Sequence, residues 1–295
     1  MHIIDELQLY ISDRCDLACE GCITYNNWAW GSRLKIQDHR EEFLAWQGQI
    51  RVNSLTILGG EPMLNPELDQ WVTLVMASGM AASLRICTNG GHQDRWQHAW
   101  TDQGCILEIS SHSEQDLESA LEWCRDRWPA AVQSQRRAEG SQHADMMIYH
   151  FHSESTGQLL AEVRSAWQFN QWPWQLNQGQ ITWDRLRDPV REYEHCAVKD
   201  CAYMMGSRLY RCPQQALFPR ITPWVDSEYA GVTSEDLGVS ADGPVAEWFA
   251  TRFHWQSQCS LCNWQEPRVA TLDSPRHSKI TLVPRAEYQR KQLNT

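Results

Sequence analysis

The chain has 295 residues, 42% of them hydrophobic and 21% charged, which is enough apolar material for one large core or a large and a small one. Its net charge of −11 disfavours nucleic acid as a main partner. No apolar run approaches the roughly 18 residues a membrane span needs, and Met1–Glu6 carries acid where a secretory leader is basic, so a cytoplasmic protein off the membrane is expected.

The first predicted element is a strand, with Leu7, Leu9 and Ile11 on one side and Gln8 and Tyr10 on the other, a period of two. Directly after it come Cys15, Cys19 and Cys22, spaced C-x3-C-x2-C. Asp38 to Ile50 reads as a first helix, and the apolar run Leu55–Leu58 as a strand ending in Gly59-Gly60-Glu61-Pro62. Asn65-Pro66-Glu67 is a helix start, with a capping side chain and proline at the first helical position. Leu68, Trp71, Val72, Val75 and Met76 then form its apolar stripe, and Gly79 stops it. Ser83–Cys87 is the next strand and leads into the turn Thr88-Asn89; His92–Trp100 reads as a helix and Ile106–Ser110 as a strand. Ser113 with Asp116 resembles a capping box opening a helix with Leu117, Ala120, Leu121, Cys124 and Trp128 on one face. Residues 129–145 read as a long connection or a small excursion, Met146–Phe151 as a strand, Leu159–Trp167 as a helix, and Trp172–Asn177 as a sixth strand that Pro173 weakens.

Strands alternating with amphipathic helices predict an α/β fold, and five or six units predict an open, partial (β/α)6 TIM-like barrel over residues 1–180. In such barrels function collects at the C-terminal strand ends, where the cysteine loop, Gly59–Glu61, Thr88-Asn89, Ser110-Ser111 and His150 all fall. Beyond residue 180 short segments rich in Pro, Gly and Cys predict a small α+β domain over 181–270, and 271–295 reads as a tail carrying several Lys and Arg.

Eleven cysteines in a chain without a leader point to metal or redox ligands rather than a disulfide framework. Cys87, Cys105 and Cys124 lie singly in apolar patterns and read as small buried thiols. Three thiolates on one tight loop can hold three corners of a [4Fe–4S] cubane whose full shell takes four, leaving one iron open for chemistry. Zinc, which favours paired C-x2-C units, is the competing reading.

The stretch C-D-L-A-C-E-G-C, followed by Gly59-Gly60-Glu61-Pro62 at the end of the second strand, resembles the radical S-adenosylmethionine (SAM) enzymes. The resemblance implies that Cys15, Cys19 and Cys22 bind a cluster whose open iron chelates SAM. It further implies a 5′-deoxyadenosyl radical that abstracts hydrogen from a substrate carbon, a flavodoxin- or ferredoxin-type electron donor, and the partial barrel. SAM contacts are expected at Gly59, Gly60, Glu61, Pro62, Thr88, Asn89 and Ser110, with Glu61 an anionic acceptor for the SAM ammonium. The family often has an aromatic residue before its third cysteine; here that residue is Gly21, so Ile23 and Tyr25 are candidates for the adenine contact.

The later cysteines resemble the twitch domain of the same superfamily, a shortened relative of the SPASM domain. Carried over, the ligands of an auxiliary [4Fe–4S] cluster are Cys196, Cys212, Cys259 and Cys262. Five residues separate Gly206 from Cys212 where the family usually has four, and Cys201 competes with Cys196. A zinc ribbon also suits such a set. Four protein ligands leave no open iron, so this cluster would accept an electron in a net oxidation or crosslinking, on a small polar metabolite such as a sugar or aminocyclitol, or on a peptide. His112, His150 and Tyr203 read as structural. From another functional class, a non-catalytic iron–sulfur electron carrier or a zinc-stabilised interaction module competes with the enzyme.

Overall fold

The computed structural model describes residues 1–19, 22–26, 34–138, 146–166, 168–171, 174–177, 180–183, 187–196, 198–221, 237–254, 256–262 and 268–271. Five parallel strands carry the frame: β1 (His2–Tyr10), β2 (Ile50–Leu58), β3 (Leu84–Thr88), β4 (Ile106–Ser111) and, after the antiparallel hairpin β5 (Ala131–Arg137) and β6 (Met147–Ser153), β7 (Leu159–Ser165). Two short pairs lie outside this sheet: β9 (Trp174–Asn177) with β10 (Gln180–Trp183), and β8 (Gln168–Gln171) with β13 (Arg268–Thr271). Strand β11 (Cys201–Met205) lies parallel to β1, and β12 (Arg208–Tyr210) folds back on it. The nine-stranded sheet therefore runs β12-β11-β1-β2-β3-β4-β7-β6-β5.

One face of this sheet is apolar. Leu7 and Leu9, Leu55 and Ile57, Leu84 and Ile86, Leu107 and Ile109, Ala161 and Val163, and Ala202 and Met204 all join one buried cluster. Helices α1 (Ile36–Leu44), α2 (Leu68–Ser78) and α4 (Glu114–Arg127) bring Phe43, Trp71, Val75, Leu117, Ala120 and Cys124 into it. Short α3 (His98–Asp102) adds Trp100, and α7 (Val245–Thr251) adds Trp248. Gly79 ends α2 at φ 64, a left-handed conformation, and the Ser113 hydroxyl caps α4 by accepting from Asp116 N. Because strand side chains alternate, the opposite face carries Gln8, Thr56, Arg85, Cys87, Glu108, Ser110, His150, Glu162 and Arg164. None of the described helices is long and apolar enough to cross a membrane.

The mixed α/β architecture with a large sheet agrees with the expected class, but several elements differ. Leu159–Ser165 is a strand, not a helix: Ala161, Val163 and Ser165 alternate with Leu160, Glu162 and Arg164 between the two faces. Residues 131–137 are not a loop but pair with β6 along their whole length. The expected sixth strand is β9, outside the main sheet and starting at Trp174; Trp172 and Pro173 lie outside the described residues. The first helix ends at Leu44, ahead of a turn where Gly48 has φ 77, and Ile50 opens β2. Gln93–Arg95 is a 3-10 turn and only His98–Asp102 is helical in the stretch read as one helix. The sheet also crosses residue 180, because β11 and β12 extend it on β1. The sixth parallel strand thus comes from the segment assigned to the smaller domain.

Candidate metal centres

The first cysteine loop leaves β1 beside the end of β2, and the parallel pairing continues past both strands. Ile11 N donates to Leu58 O at 2.9 Å, Gly60 N to Ser12 O at 2.7 Å and Glu61 N to Arg14 O at 2.7 Å. Such an approach needs glycine. A Cβ on Gly59 would lie 2.5 Å from Ser12 O, and one on Gly60 would lie 2.5 Å from Arg14 O and 2.8 Å from the Cys15 Cβ. On the far side of the loop, the Asn26 backbone N–H points at the Cys22 sulfur at 3.3 Å, and Thr24 Oγ1 also lies 3.3 Å from it. Cys19 is 8% exposed, and its carbonyl accepts from Cys22 N at 3.2 Å. A preorganised thiol loop with donors aimed at sulfur fits an anionic cluster ligand set. Glu20 and Gly21 lie outside the described residues.

A buried clamp holds this loop down. The Tyr10 hydroxyl donates to Asp13 Oδ1 at 2.7 Å, Asn26 Nδ2 donates to Asp13 O at 2.6 Å, and Arg220 forms an ion pair with Asp13. Burial first, and then the Asp13 charge, push the Tyr10 phenol well above its ordinary range. Sequence reasoning missed Asp13, Asn26 and Arg220, because Arg220 meets the loop only through the tertiary fold.

Glu61 is fully buried and its carboxylate is engaged. Oε1 accepts from Met63 N at 2.8 Å and Thr88 Oγ1 at 2.9 Å, and Oε2 accepts from Asn89 N at 2.7 Å. Burial pushes this carboxyl up to about 7 against the pull of those donors. These bonds make Glu61 a brace tying the end of β2 to the end of β3. Pro62 opens the following 3-10 turn and is buried. The exposed acid at this edge is Asp16, which sequence reasoning passed over. Its carboxylate accepts from Asn89 Nδ2 at 2.7 Å and lies 3.3 Å from His92 Nε2. Ser110 lies on the polar sheet face, 3.8 Å from the Cys87 sulfur.

The second set comes from separate elements. Cys196 follows α5 (Pro189–Glu194), Cys212 precedes α6 (Pro213–Ile221), and Cys259 and Cys262 flank the end of a 3-10 turn at Ser257–Leu261. All four line one cavity of about 670 Å3 of empty space, part of it open to solvent. Cys201 lies elsewhere, 5% exposed on β11 and hydrogen-bonded to Glu6. Burial pushes Cys196 and Cys212 up to about 12 and also raises Cys259 and Cys262, with neighbouring thiols adding to Cys262. These thiols therefore need a cationic centre to become thiolates at neutral pH. Backbone donors are already aimed at them: Val198 N–H at Cys196, Gln214 and Gln215 N–H at Cys212, and Gln256 N at the Cys259 sulfur, 3.5 Å away. This donor set fits a four-thiolate cluster. Among the described residues no three His, Cys, Asp or Glu side chains converge on one ion-sized point; a cubane spreads its thiolates over separate irons.

The two sets are joined. Helix α6 starts beside Cys212, and its Arg220 pairs with Asp13 of the first loop. At nine residues it is roughly 13 Å long. Tyr25, which follows Cys22, is 4% exposed with φ 55, and it lines the four-thiol cavity. The residue expected as a candidate adenine contact thus lies between the two thiol sets.

Along the polar sheet face runs a charge network absent from the motifs. Arg164 Nη1 bonds Glu108 Oε1 at 2.9 Å, and Arg85 Nη1 reaches Glu108 Oε2 at 3.3 Å and Glu162 Oε2 at 3.5 Å. His150 Nε2 lies 3.2 Å from Glu162 Oε2, and Arg164 Nε also bonds Glu162. Burial works to raise Glu162, but Arg164, Arg85 and His150 outweigh it and hold the carboxyl below its ordinary range. His112 Nδ1 lies 3.0 Å from Ala166 O, and burial lowers its pKa. Tyr203 is fully buried on the same sheet face, 5.9 Å between ring centres from Tyr10.

Among known proteins, the family-model match covers the first thiol set. A family model described as a 4Fe-4S single cluster domain matches residues 6–107, from β1 to the start of β4, and ends well before the second set. A GTP 3',8-cyclase of Sulfurimonas denitrificans is 25% identical over 89 residues, 30% of this chain and 28% of that protein. The GTP 3',8-cyclase of Aliarcobacter butzleri is 26% identical over 89 residues, again 30% and 28%. That of Nautilia profundicola is 26% identical over 103 residues, 34% of this chain and 32% of the relative. The match therefore spans less than a third of each relative's length.

Proposed function

We propose that this chain, which belongs to the radical SAM superfamily, is an enzyme that uses SAM to abstract a hydrogen atom from a substrate carbon and completes a net oxidation or crosslinking with a second cluster. The observation that carries the reading is the loop of Cys15, Cys19 and Cys22 pinned against Gly59 and Gly60 at the ends of two adjacent parallel strands. Cys15, Cys19 and Cys22 would hold a [4Fe–4S] cluster with one open iron, and Cys196, Cys212, Cys259 and Cys262 a fully ligated one. When bound, the first supplies the electron that breaks a C–S bond of SAM, and the second an acceptor for the electron that an oxidised substrate gives up.

The residues divide the remaining work. Glu61 braces the Gly59-Gly60 approach and aligns Thr88-Asn89, while Asp16 offers a carboxylate at the rim of the loop. The paired charges of Arg85, Glu108, Glu162 and Arg164 give the sheet face a polar lining suited to a hydrogen-bonding substrate, a small polar metabolite or a peptide. A substrate containing guanosine triphosphate chemistry would follow the name of the relatives and is a separate arm of the same substrate screen. A flavodoxin- or ferredoxin-type protein is the proposed electron donor.

The test is anaerobic reconstitution with iron and sulfide, then SAM and dithionite. 5′-Deoxyadenosine should form in the wild type and stay at background when Cys15, Cys19 and Cys22 are all replaced by Ala. Equal formation in both proteins would overturn the reading.

A further inference from the structure

The four-thiol cavity holds more than thiols. Gln214, the second residue of α6, lines it at 8% exposure, and both polar atoms of its carboxamide are buried without a hydrogen-bond partner among the described residues. Arg252, 6% exposed, lines the same cavity with its Nη1 likewise unpartnered there. An orphaned buried amide is costly and rare unless something fills the place of its partner.

The geometry points to Gln214 as a side-chain hydrogen-bond donor to the sulfurs of the centre held by Cys196, Cys212, Cys259 and Cys262, setting its reduction potential. Sulfides and thiolates are acceptors, and one-electron reduction adds negative charge to them. A donor N–H therefore stabilises the reduced form more than the oxidised form and raises the potential. Arg211, which lines the same cavity and whose charge acts on Cys212 and Cys259, works in the same direction. A raised potential is what an electron-accepting site requires. This inference rests on the second-cluster reading proposed above.

The test is an EPR-monitored redox titration of the iron-loaded full chain, with iron counted in the same samples. Gln214→Leu keeps the bulk and removes the donor. It should lower the reduction equilibrium constant of the second centre about ten-fold, 59 mV for a one-electron couple, and leave the first centre unmoved. Should the Leu variant fail to hold its second centre, Gln214→Glu decides: a carboxylate in that place should lower the constant by at least as much. A potential within two-fold of wild type, with iron retained, overturns the role of Gln214 and leaves the second cluster standing. A wild-type chain with about four irons, or with zinc at the second site, overturns the second-cluster reading and this inference with it.

Discussion

The two thiol sets are built by opposite strategies. The first takes three sulfurs from a single loop, residues 15–22, and fixes them by backbone: two glycines that admit no Cβ, and a clamp around Asp13. The second collects four sulfurs from elements that span residues 196–262 and encloses them in a cavity with helix α6 at its edge. A local loop with three ligands leaves a metal position for chemistry, whereas a nonlocal cage with four closes its metal off. Number of ligands and origin of ligands thus go together with the proposed division of labour, cleavage at one centre and electron acceptance at the other.

The largest effect should come from breaking the first set. Cys15→Ala removes one of the three proposed ligands, so 5′-deoxyadenosine formation under dithionite should fall to background while the proposed second centre keeps its spectrum. Breaking the second set gives the opposite pattern. Replacing Cys259 and Cys262 with Ala should reduce iron from about eight to about four per chain, leave SAM cleavage in place, and stop substrate oxidation. Cys201→Ala should leave the iron content at its wild-type value, since that thiol is not among those lining the cavity.

Gly60→Ala separates the strategies without touching a ligand. Its new Cβ meets Arg14 O and the Cys15 side chain, so the loop has to move at a cost of about 1–3 kcal/mol for overpacking. Iron at the first centre should be lost faster on chelator challenge, with the second centre unaffected. A pH dependence of comparable size belongs to Glu61. The folded-state pKa of Glu61 lies above its ordinary value of about 4.5, so its contribution to stability is complete below about 4.5 and is lost as pH rises through about 7. Between those limits, urea unfolding of the metal-free chain should show wild type losing about 3 kcal/mol relative to Glu61→Gln. A constant difference across that range would remove the buried-acid account of Glu61.

How legible these regions were follows from the same contrast. The C-x3-C-x2-C loop and the Gly-Gly-Glu-Pro turn are contiguous, and their physical demands are local, so their residues and strand-end position can be read directly. The body and end of helix α2 were equally plain, because its apolar stripe and Gly79 stop lie in one stretch, whereas its start falls at Glu67, after the expected cap Asn65 and Pro66. Leu159–Ser165 deceived because Leu159, Leu160 and Val163 suit a helical stripe, while the alternation of Glu162 and Arg164 with Ala161 and Val163 has meaning only beside β4. The hairpin partner β5 has mostly exposed side chains, so it carries little apolar pattern to mark it as a strand. Strand β11 was invisible as part of the main sheet, since its place on β1 is set by pairing across almost 200 residues of chain. Residues such as Gln214, Tyr25 and Arg220 acquire meaning only once α6 sits between the two thiol sets.

The central claim is that the first centre has an open iron and the second has none. It is tested most directly by EPR of the reduced, fully iron-loaded protein with and without SAM, repeated on the variant lacking Cys259 and Cys262. The account predicts that SAM shifts one of the two wild-type signals, that this signal is the one surviving in the variant, and that the other is unmoved. A SAM-induced shift in the signal that disappears with Cys259 and Cys262, or no shift in either, would contradict it.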